Sequence, residues 1–392
     1  MPERPAGEAG LPAFLIAGAQ KGGTTYLHSL LRQMPGISEP SQQPAWADNE
    51  LPPVYGGNTK ELHFFDRANL GPGAFVRGYL PAWHGANASD LLFESSPGYL
   101  PTPMAPVRIA ALLPAAKVIV ILREPASRAL SHWNMRQTFC KRADKNIMCP
   151  LRFEAAIKRE MEALKRAGCA FDSQAAYDSP ASWNRCFRCY FEATCDFTEG
   201  TMTEPWFEMK VDSTGPRAEC RAWSQFSGYV FRGMYAAQLS WWLQHVRPQQ
   251  LHVINQDDLS AEPQRVLAEV LAFLGVPQDL GLIARLLKGK RGFFKGSYSK
   301  NEELAGQGGQ GVLPAVAQLQ DFFAPHNEQL YALLDRLGVS GFSRFDTQKV
   351  HDSLAAGTQS ASPAPAASGP PRRSVRRGAP VGPAGHIVSS AP

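Results

Sequence analysis

The chain has 392 residues, of which 44% are hydrophobic, 10% aromatic and 19% charged, a composition too apolar and aromatic for a disordered chain and long enough for a large core. The formal net charge is +5, but residues 351–392 hold four arginines against one aspartate and contribute +3 of it, which leaves +2 for the rest. This balance excludes a protein that coats nucleic acid, and we expect no nucleic-acid partner.

The first elements form a strand, a turn and a helix. Residues 13–18 predict a short buried strand that ends in glycine, and residues 24–33 predict a helix with leucines on one face. Residues 36–58 are rich in proline, glycine, asparagine and glutamine, which indicates a loop. The segment 60–66, KELHFFD, follows that loop, and its apolar residues could re-enter a sheet.

The same pattern then repeats and is interrupted. The β-branched run 117–122 is typical of a strand buried on both faces of a parallel sheet, and a helix over 126–137 follows it. Residues 138–222 break the pattern with clustered cysteines, a short amphipathic helix over 154–167 and a Trp- and Phe-rich remainder. We interpret residues 138–222 as a cysteine-rich insertion.

Regular structure returns after the insertion. The pattern predicts three helices and one strand, namely helix 233–246, strand 251–255, helix 262–274 stopped by Gly275 and Pro277, and helix 327–337. Beyond residue 346 the Pro-, Ala-, Ser- and Gly-rich chain lacks apolar periodicity. We therefore predict one α/β domain over 11–345 and a disordered tail over 346–392.

Two features bear on the cellular compartment. No uncharged apolar run reaches the length of a membrane span, and the first apolar stretch follows an acidic start unlike a signal peptide. The chain is therefore either soluble or a catalytic region whose anchor lies outside it. All seven cysteines fall within residues 140–220, a clustering that suggests disulfides: Cys140, Cys149, Cys169, Cys186, Cys189, Cys195 and Cys220.

The turn between the first strand and helix has the composition of an anion-binding loop. Gly22 and Gly23 allow close approach of the backbone, Thr24 and Thr25 place hydroxyls at the helix start, and Lys21 adds a positive charge. A Walker A loop places its lysine directly before the Ser/Thr that binds magnesium, whereas two glycines intervene here. The turn therefore predicts a phosphate site of another kind.

A second anion site is predicted at Arg123 and Ser131. Arg123 ends the strand 117–122, and Ser131 lies about two turns into the following helix, so both can face one edge of the sheet. Two separate anion sites indicate a nucleotide with two phosphate positions. A strand ending in arginine instead of aspartate argues against ATP hydrolysis, while a surface ion pair between Arg123 and Glu124 is the alternative.

Three motifs together resemble the sulfotransferases that use 3′-phosphoadenosine 5′-phosphosulfate (PAPS), specifically the carbohydrate, glycosaminoglycan-type branch. They are FLIAGAQKGGTT, KELHFFD and VIVILREPASRALSHW, and the resemblance covers residues 13–137 and, more weakly, 228–338. It implies a P-loop-like, mostly parallel sheet flanked by helices, with PAPS as co-substrate. It also implies that Lys21–Thr25 hold the 5′-phosphosulfate and that Arg123 and Ser131 hold the 3′-phosphate.

The resemblance also implies a catalytic base in KELHFFD. Sulfuryl transfer to a hydroxyl needs a group that accepts the hydroxyl proton, and Glu61 matches the family, with His63 as the second candidate. Lys21 would stabilise charge on the leaving phosphate, and neither a metal nor a covalent intermediate is required. We expect a glycan or polysaccharide acceptor; the sequence predicts no oligomeric state.

Several positions depart from the family or stay open. Glu94-Ser95-Ser96-Pro97 stands where heparan-type enzymes resemble Glu-Lys-(Ser/Thr), which leaves the acceptor undefined. Arg291 in KRGFF is assigned to the 3′-phosphate side, although lysine is usual there. Cys186, Cys189 and Cys195 could bind zinc with a fourth ligand, or form disulfides in a Golgi enzyme, as the family implies. Asn87-Ala88-Ser89 is a glycosylation sequon.

Two other function classes remain alternatives. A P-loop nucleoside or nucleotide kinase would transfer phosphate from ATP with magnesium, and a glycan-binding protein would keep the nucleotide fold without turnover. The presence of both Lys21 and Glu61 argues against the second class. The Golgi lumen or secretory pathway is implied by resemblance alone, and a soluble cytoplasmic enzyme stays open.

Overall fold

The computed structural model describes residues 10–42, 59–66, 73–142, 152–166, 169, 177, 179, 182, 186, 228–288 and 312–359. The strands are β1 Pro12–Gly18, β2 Ile37–Ser38, β3 Leu91–Glu94, β4 Lys117–Leu122 and β5 Leu251–Asn255. The helices are α1 Thr24–Leu31, α2 Met104–Leu112, α3 Pro125–Arg142, α4 Phe153–Arg166, α5 Tyr235–Trp242, α6 Gln256–Ala261, α7 Pro263–Leu274, α8 Leu280–Leu287, α9 Val312–Arg336 and α10 Gln348–Gln359. Short π- and 3₁₀-helical turns cover Phe75–Tyr79, Leu80–Trp83, Phe231–Gly233 and Pro248–Gln250.

The five strands form one parallel sheet in the order β2-β3-β1-β4-β5. Alternate residues of β1 lie in two separate apolar clusters, with Phe14 and Ile16 on one face and Leu15 and Ala17 on the other. The first face packs against α1, α7 and α8, and the second against α3, α4, α5 and α9. Both faces are covered, which explains why the strands are continuous apolar runs. The predicted mostly parallel, helix-flanked α/β domain is confirmed.

The predicted strands at β1, β4 and β5 and the helix α7 are confirmed closely. Gly275 ends α7 in the left-handed region with φ of 79°, and its N–H bonds to the carbonyls of Leu271 and Ala272. Only glycine adopts this conformation without strain, which is why the sequence marked the helix end. The last long helix begins earlier than predicted, at Val312, and includes Pro325.

Three expectations are wrong in detail. The segment 60–66 contains no strand, and the strand that flanks β1 is instead β3, which the sequence did not reveal. The predicted loop 36–58 contains the two-residue β2, paired with β3. The predicted disordered tail is helical at its start, because Gln348–Gln359 forms α10 and Val350 is buried.

Part of the predicted insertion belongs to the core. Helix α3 continues to Arg142, and α4 packs Phe153, Ile157 and Leu164 into the larger apolar cluster. The α4 carboxylate of Glu160 accepts the N–H groups of Val230 and Phe231, at 3.0 and 2.8 Å. Most of residues 167–227 lies outside the described part. Among the described helices, none combines the length and apolar character that crossing a membrane requires.

Candidate active site

The loop between β1 and α1 is fixed against the end of β4. The Ala19 N–H donates to the Ile121 carbonyl at 2.8 Å, and the Gly22 N–H donates to the Ala19 carbonyl at 2.8 Å. A Cβ atom on Gly22 would lie 2.3 Å from the Ile121 oxygen, a backbone atom that has little freedom to move. Glycine at position 22 is therefore required for the loop to approach β4 this closely.

The same loop leads into the N-terminus of α1. Gly23 precedes α1 with φ of 106°, a value that favours glycine, and Lys21 has φ of 70°. Within the described residues, no backbone acceptor pairs with the N–H groups of Gly23, Thr24 or Thr25. The first N–H groups of a helix have no acceptor inside it, and the helix dipole adds positive potential there. This end of α1 can therefore hold an anion.

Arg123 lies at the end of β4, the strand next to this loop. β4 is the neighbour of β1, so Arg123, which follows Leu122, lies at the same edge of the sheet as the loop. The Tyr235 hydroxyl donates to the Arg123 carbonyl at 2.9 Å and holds the backbone at this point. The buried Glu124 carboxylate accepts the N–H groups of Ala126 and Ser127, which caps α3.

The charge of Lys21 reaches α3 next to Ser131. Burial lowers the pKa of His132 well below its ordinary value, and the positive charges of Arg128, Arg232, Arg136 and Lys21 lower it further. Ser131 itself is buried on α3. The positive potential of these cations, Lys21 included, therefore extends to the residue next to Ser131.

The segment 60–66 is held by the residues that follow β3. The Ser95 N–H donates to the Lys60 carbonyl at 2.9 Å, the His63 N–H to Ser96 Oγ at 3.0 Å, and the Phe64 N–H to the Tyr99 hydroxyl at 3.0 Å. His63 has φ of 52°, which interrupts the extended backbone and explains why no strand forms. Because β3 lies next to β1, this segment is brought to the edge of the sheet where the anion loop lies.

Glu94 accepts hydrogen bonds from the side chains that hold the segment 60–66. Its carboxyl group is fully buried and accepts Ser96 Oγ at 2.6 Å, the Tyr99 hydroxyl at 2.5 Å and the Tyr79 hydroxyl at 3.2 Å. Burial raises the pKa of Glu94 to about 7, although the hydrogen bonds from Ser96 and Tyr99 oppose the rise. Two of the three donors, Ser96 and Tyr99, are also the groups that hold the segment 60–66.

Glu61 and His63 form a charged cluster with Lys60 and Asp66. Glu61 Oε1 lies 2.5 Å from Lys60 Nζ and Glu61 Oε2 lies 3.4 Å from His63 Nε2, while His63 Nδ1 lies 2.9 Å from Asp66 Oδ2. Burial would raise the pKa of Glu61, but Lys60 and then His63 outweigh it and lower the pKa to about 2. Burial would lower the pKa of His63, but Asp66 and then Glu61 raise it to about 10.

These pKa shifts give the two base candidates different chemistry. At neutral pH the His63 imidazole is protonated, and its two N–H groups face Asp66 and Glu61, so it has no lone pair to accept a proton. Glu61 is ionised and 24% exposed, so its carboxylate can accept a proton from a bound group. Gly98 leaves room for this cluster, because a Cβ there would lie 2.3 Å from Asp66 Oδ2.

The structure adds residues that sequence reasoning missed and leaves others undescribed. Lys60 and Asp66 lie within KELHFFD, but the sequence alone gives them no role, and it marks Glu94 and Ser95 only as a departure from the family pattern. For Lys60, its position next to Glu61 in the sequence is a signal of its role; for Asp66, Glu94 and Ser95 the sequence carries no such signal. Arg291 lies outside the described residues.

The structure describes two of the seven cysteine side chains and the asparagine of the glycosylation sequon. Cys169 and Cys186 form a disulfide, and the remaining cysteine side chains lie outside the described part. Within the described residues, no group of three His, Cys, Asp or Glu side chains is arranged to bind a metal ion. Asn87 is exposed, in a turn closed by the Asp90 N–H bonding to the Asn87 carbonyl at 3.0 Å.

Comparison with known proteins places these features in a family. The chain is 27% identical over 350 residues to human bifunctional heparan sulfate N-deacetylase/N-sulfotransferase 3, a match that covers 87% of this chain and 32% of that protein. It is 24% identical over 368 residues to the membrane-associated sulfotransferase kil1 of Dictyostelium discoideum, covering 83% of this chain and 66% of that protein. The chain thus spans about a third of the length of the heparan sulfate relatives it matches.

A solved structure is also similar. The sulfotransferase from Alicyclobacillus acidocaldarius is 22% identical, with a TM-score of 0.45 over 83% of this chain and 96% of that one.

Residues 11–291 match the Sulfotransferase domain family. Because that match covers most of the chain and includes the anion loop, β4 and the Glu61 cluster, the chain belongs to the sulfotransferase family.

Proposed function

We propose that this protein transfers a sulfuryl group from PAPS to a hydroxyl group of a carbohydrate or other glycan acceptor. The observation that carries the proposal is the meeting of three features at one edge of the sheet. The Lys21 loop follows β1, Arg123 follows β4, and the ionised Glu61 is held by residues that follow β3, on the other side of β1. Ligands of open parallel sheets bind beyond this edge.

In this proposal the donor is held from two sides. The N–H groups of Gly23, Thr24 and Thr25 and the Lys21 ammonium bind the 5′-phosphosulfate, as the loop geometry supports. Arg123 and Ser131 bind the 3′-phosphate, with Gly22 allowing the loop to lie close to β4 and Arg291 assigned to the 3′-phosphate side. No step requires a metal ion.

The transfer is an in-line displacement at sulfur. The acceptor oxygen forms a bond to sulfur while the bond from sulfur to the bridging phosphate oxygen breaks, and Glu61 takes the acceptor proton. Lys21 stabilises the negative charge that develops on the bridging oxygen. The protonated state of His63 supports Glu61 over His63 as the base and gives His63 the role of orienting the Glu61 carboxylate.

The acceptor atom has two candidates. We propose a hydroxyl group, while the names of the heparan sulfate relatives favour an amine as the second candidate, because those proteins are N-sulfotransferases. Either atom must lose a proton during transfer, so the Glu61 carboxylate suits both. Ser95 stands where the heparan-type pattern has lysine, and because its side chain is fully buried this position supplies no positive charge to an acceptor.

A location in the secretory pathway, such as the Golgi lumen, is part of this proposal. The Cys169–Cys186 disulfide supports it, since disulfides persist in oxidising compartments. The exposed sequon at Asn87 would be available to the glycosylation machinery of that pathway.

The test is a transfer assay with ³⁵S-labelled PAPS on a panel of N-deacetylated heparosan, N-acetylated heparosan, chondroitin and a neutral polysaccharide. Glu61→Gln should abolish transfer while its affinity for 3′-phosphoadenosine 5′-phosphate (PAP), measured by calorimetry, stays at the wild-type value. Glu328→Gln, a substitution of an exposed carboxylate on α9, is the matched control and should transfer normally. Wild-type rates in Glu61→Gln would remove Glu61 as the base, and label on the free amine alone would establish the amine acceptor.

A further inference from the structure

A buried hydrogen-bonded chain joins α1 to the Glu61 cluster. His28 lies on α1, one turn after Thr24, and is 3% exposed. Its Nε2 lies 2.7 Å from Glu39 Oε2, and its Nδ1 lies 2.7 Å from Ser95 Oγ. Ser95 is fully buried and contacts Lys60, which contacts Glu61. None of the proposed chemical steps uses His28 or Ser95.

The direction of each hydrogen bond in this chain follows from chemistry. Burial lowers the pKa of His28 to about 4, although the Glu39 hydrogen bond opposes the shift, so the imidazole is neutral and carries one N–H. A carboxylate only accepts hydrogen bonds, so Nε2 carries the hydrogen and donates to Glu39. Nδ1 must then accept, and the Ser95 hydroxyl is committed to donate to it.

The bond from the Ser95 hydroxyl to His28 holds Ser95, and Ser95 in turn bonds to Lys60 through its backbone. The Ser95 N–H donates to the Lys60 carbonyl at 2.9 Å, and the Ser95 carbonyl accepts from Lys60 Nζ at 3.2 Å. Lys60 Nζ in turn lies 2.5 Å from Glu61 Oε1. Ser95 is therefore bound to Lys60 at both its backbone and its ammonium, and His28 holds the Ser95 side chain.

We propose that His28 is a positioning residue for the Glu61 carboxylate, acting through the Ser95 hydroxyl and the Lys60 ammonium. The inference rests on the proposed function, in which Glu61 accepts the acceptor proton. It assigns to α1 a second role, because the helix that begins at the anion loop also sets the position of the base. Misplacing a reacting group by about 1 Å costs about 10²-fold in rate, so a small displacement of Lys60 and Glu61 is measurable.

Two amide substitutions at one position separate the two bonds of His28. His28→Asn places an amide oxygen where Nδ1 lies and can still accept the Ser95 hydroxyl, whereas His28→Gln reaches the position of Nε2 and keeps only the Glu39 contact. We expect His28→Gln to lower kcat about 10²-fold with an unchanged KM for PAPS, and His28→Asn to stay within about threefold of wild type. The matched control is His326→Gln. His326 is also a buried histidine, but it contacts Tyr177 and takes no part in the hydrogen bonds that link His28 to Glu61.

The pH profile of kcat supplies a readout that a loss of packing would not move. Lys60 and His63 face Glu61, Asp66 faces His63, and Glu39, Arg32 and Lys60 act on His28. If Lys60 is displaced in His28→Gln, the pKa of Glu61 returns toward its ordinary value of 4.5. The acid limb of kcat should then move to higher pH in His28→Gln and remain in place in His28→Asn.

A measurement independent of turnover keeps the inference separate from the proposed function. Amide hydrogen exchange at Ser95 should be faster in His28→Gln than in wild type and unchanged in His28→Asn, and Ser95→Ala should reproduce the kcat loss if His28→Gln does not fold. Equal losses in both His28 variants, or a wild-type kcat and exchange rate in His28→Gln, would overturn the inference. Absence of PAP binding and transfer in wild type would instead refute the proposed function.

Discussion

Replacement of Glu94 by glutamine tests the protonation of the buried carboxyl group that bonds to Ser96 and Tyr99. The side chain is fully buried among three hydroxyl donors, and burial raises its pKa from 4.5 to about 7. Folding therefore takes up a proton at this site between pH 4.5 and 7. The stability that Glu94 contributes is fully present below pH 4.5 and is lost as the pH rises through about 7.

The magnitude follows from the two pKa values. One pKa unit corresponds to about 1.4 kcal/mol, and integration between pH 5 and pH 7.5 gives a loss of about 2 kcal/mol in the free energy of unfolding. Glutamine has nearly the shape of the protonated carboxyl and does not titrate. The free energy of unfolding of Glu94→Gln, relative to wild type, should therefore rise by about 2 kcal/mol from pH 5 to pH 7.5.

The assay is urea unfolding followed by tryptophan fluorescence at both pH values. Other groups also titrate in this range, and His28 acts in the opposite direction, since its lowered pKa makes its contribution fall as the pH drops from 6.5 toward 4. Taking the difference between variant and wild type at each pH cancels these contributions. A difference that is the same at pH 5 and pH 7.5 would refute the pKa of Glu94 and the buried cluster derived from it.

Three further predictions concern the loop, the His63 charge and the compartment. Gly22→Ala should weaken PAP binding in calorimetry without unfolding the sheet, because its Cβ would displace the loop from Ile121. Wild-type affinity in this variant would contradict the requirement for glycine at position 22. Asp66→Asn should lower the pKa of His63 from about 10, measured by proton NMR, since Asp66 is the main cause of its rise. After expression through a secretory pathway, the chain should lose mass on treatment with an N-glycosidase and Asn87→Gln should not, whereas an unmodified Asn87 would contradict a glycan there.

The sequence predicted the central strands because their burial determines their composition. β1, β4 and β5 are covered by helices on both faces, so continuous apolar runs identify them. β3 has four residues and β2 has two, too short for any periodicity to stand out. Segment 60–66 has the apolar residues of a strand, but the positive φ of His63 and hydrogen bonds to Ser96 and Tyr99 replace strand pairing.

The sequence predicts the site residues that directly follow a recognisable strand, but not the contacts between residues far apart in the sequence. The Lys21 loop and Arg123 follow directly from strands that the sequence reveals. The His28–Ser95 bond joins residues 67 positions apart and the Lys60–Ser95 bond joins residues 35 apart, and neither spacing has a local signature. The protonation of His63 also depends on its three-dimensional neighbours, so the sequence alone left Glu61 and His63 as alternatives.

The central claim is that one nucleotide with two phosphate positions is held by the Lys21 loop on one side and by Arg123 on the other. Calorimetry with PAP, adenosine 5′-phosphate and ATP with magnesium, on wild type, Arg123→Ala and Lys21→Ala, tests it most directly. Wild type should bind PAP about 10- to 100-fold more tightly than adenosine 5′-phosphate, Arg123→Ala should remove most of that preference, and Lys21→Ala should weaken both ligands. Equal wild-type affinities for the two nucleotides, or tight binding of ATP with magnesium and none of PAP, would contradict the account.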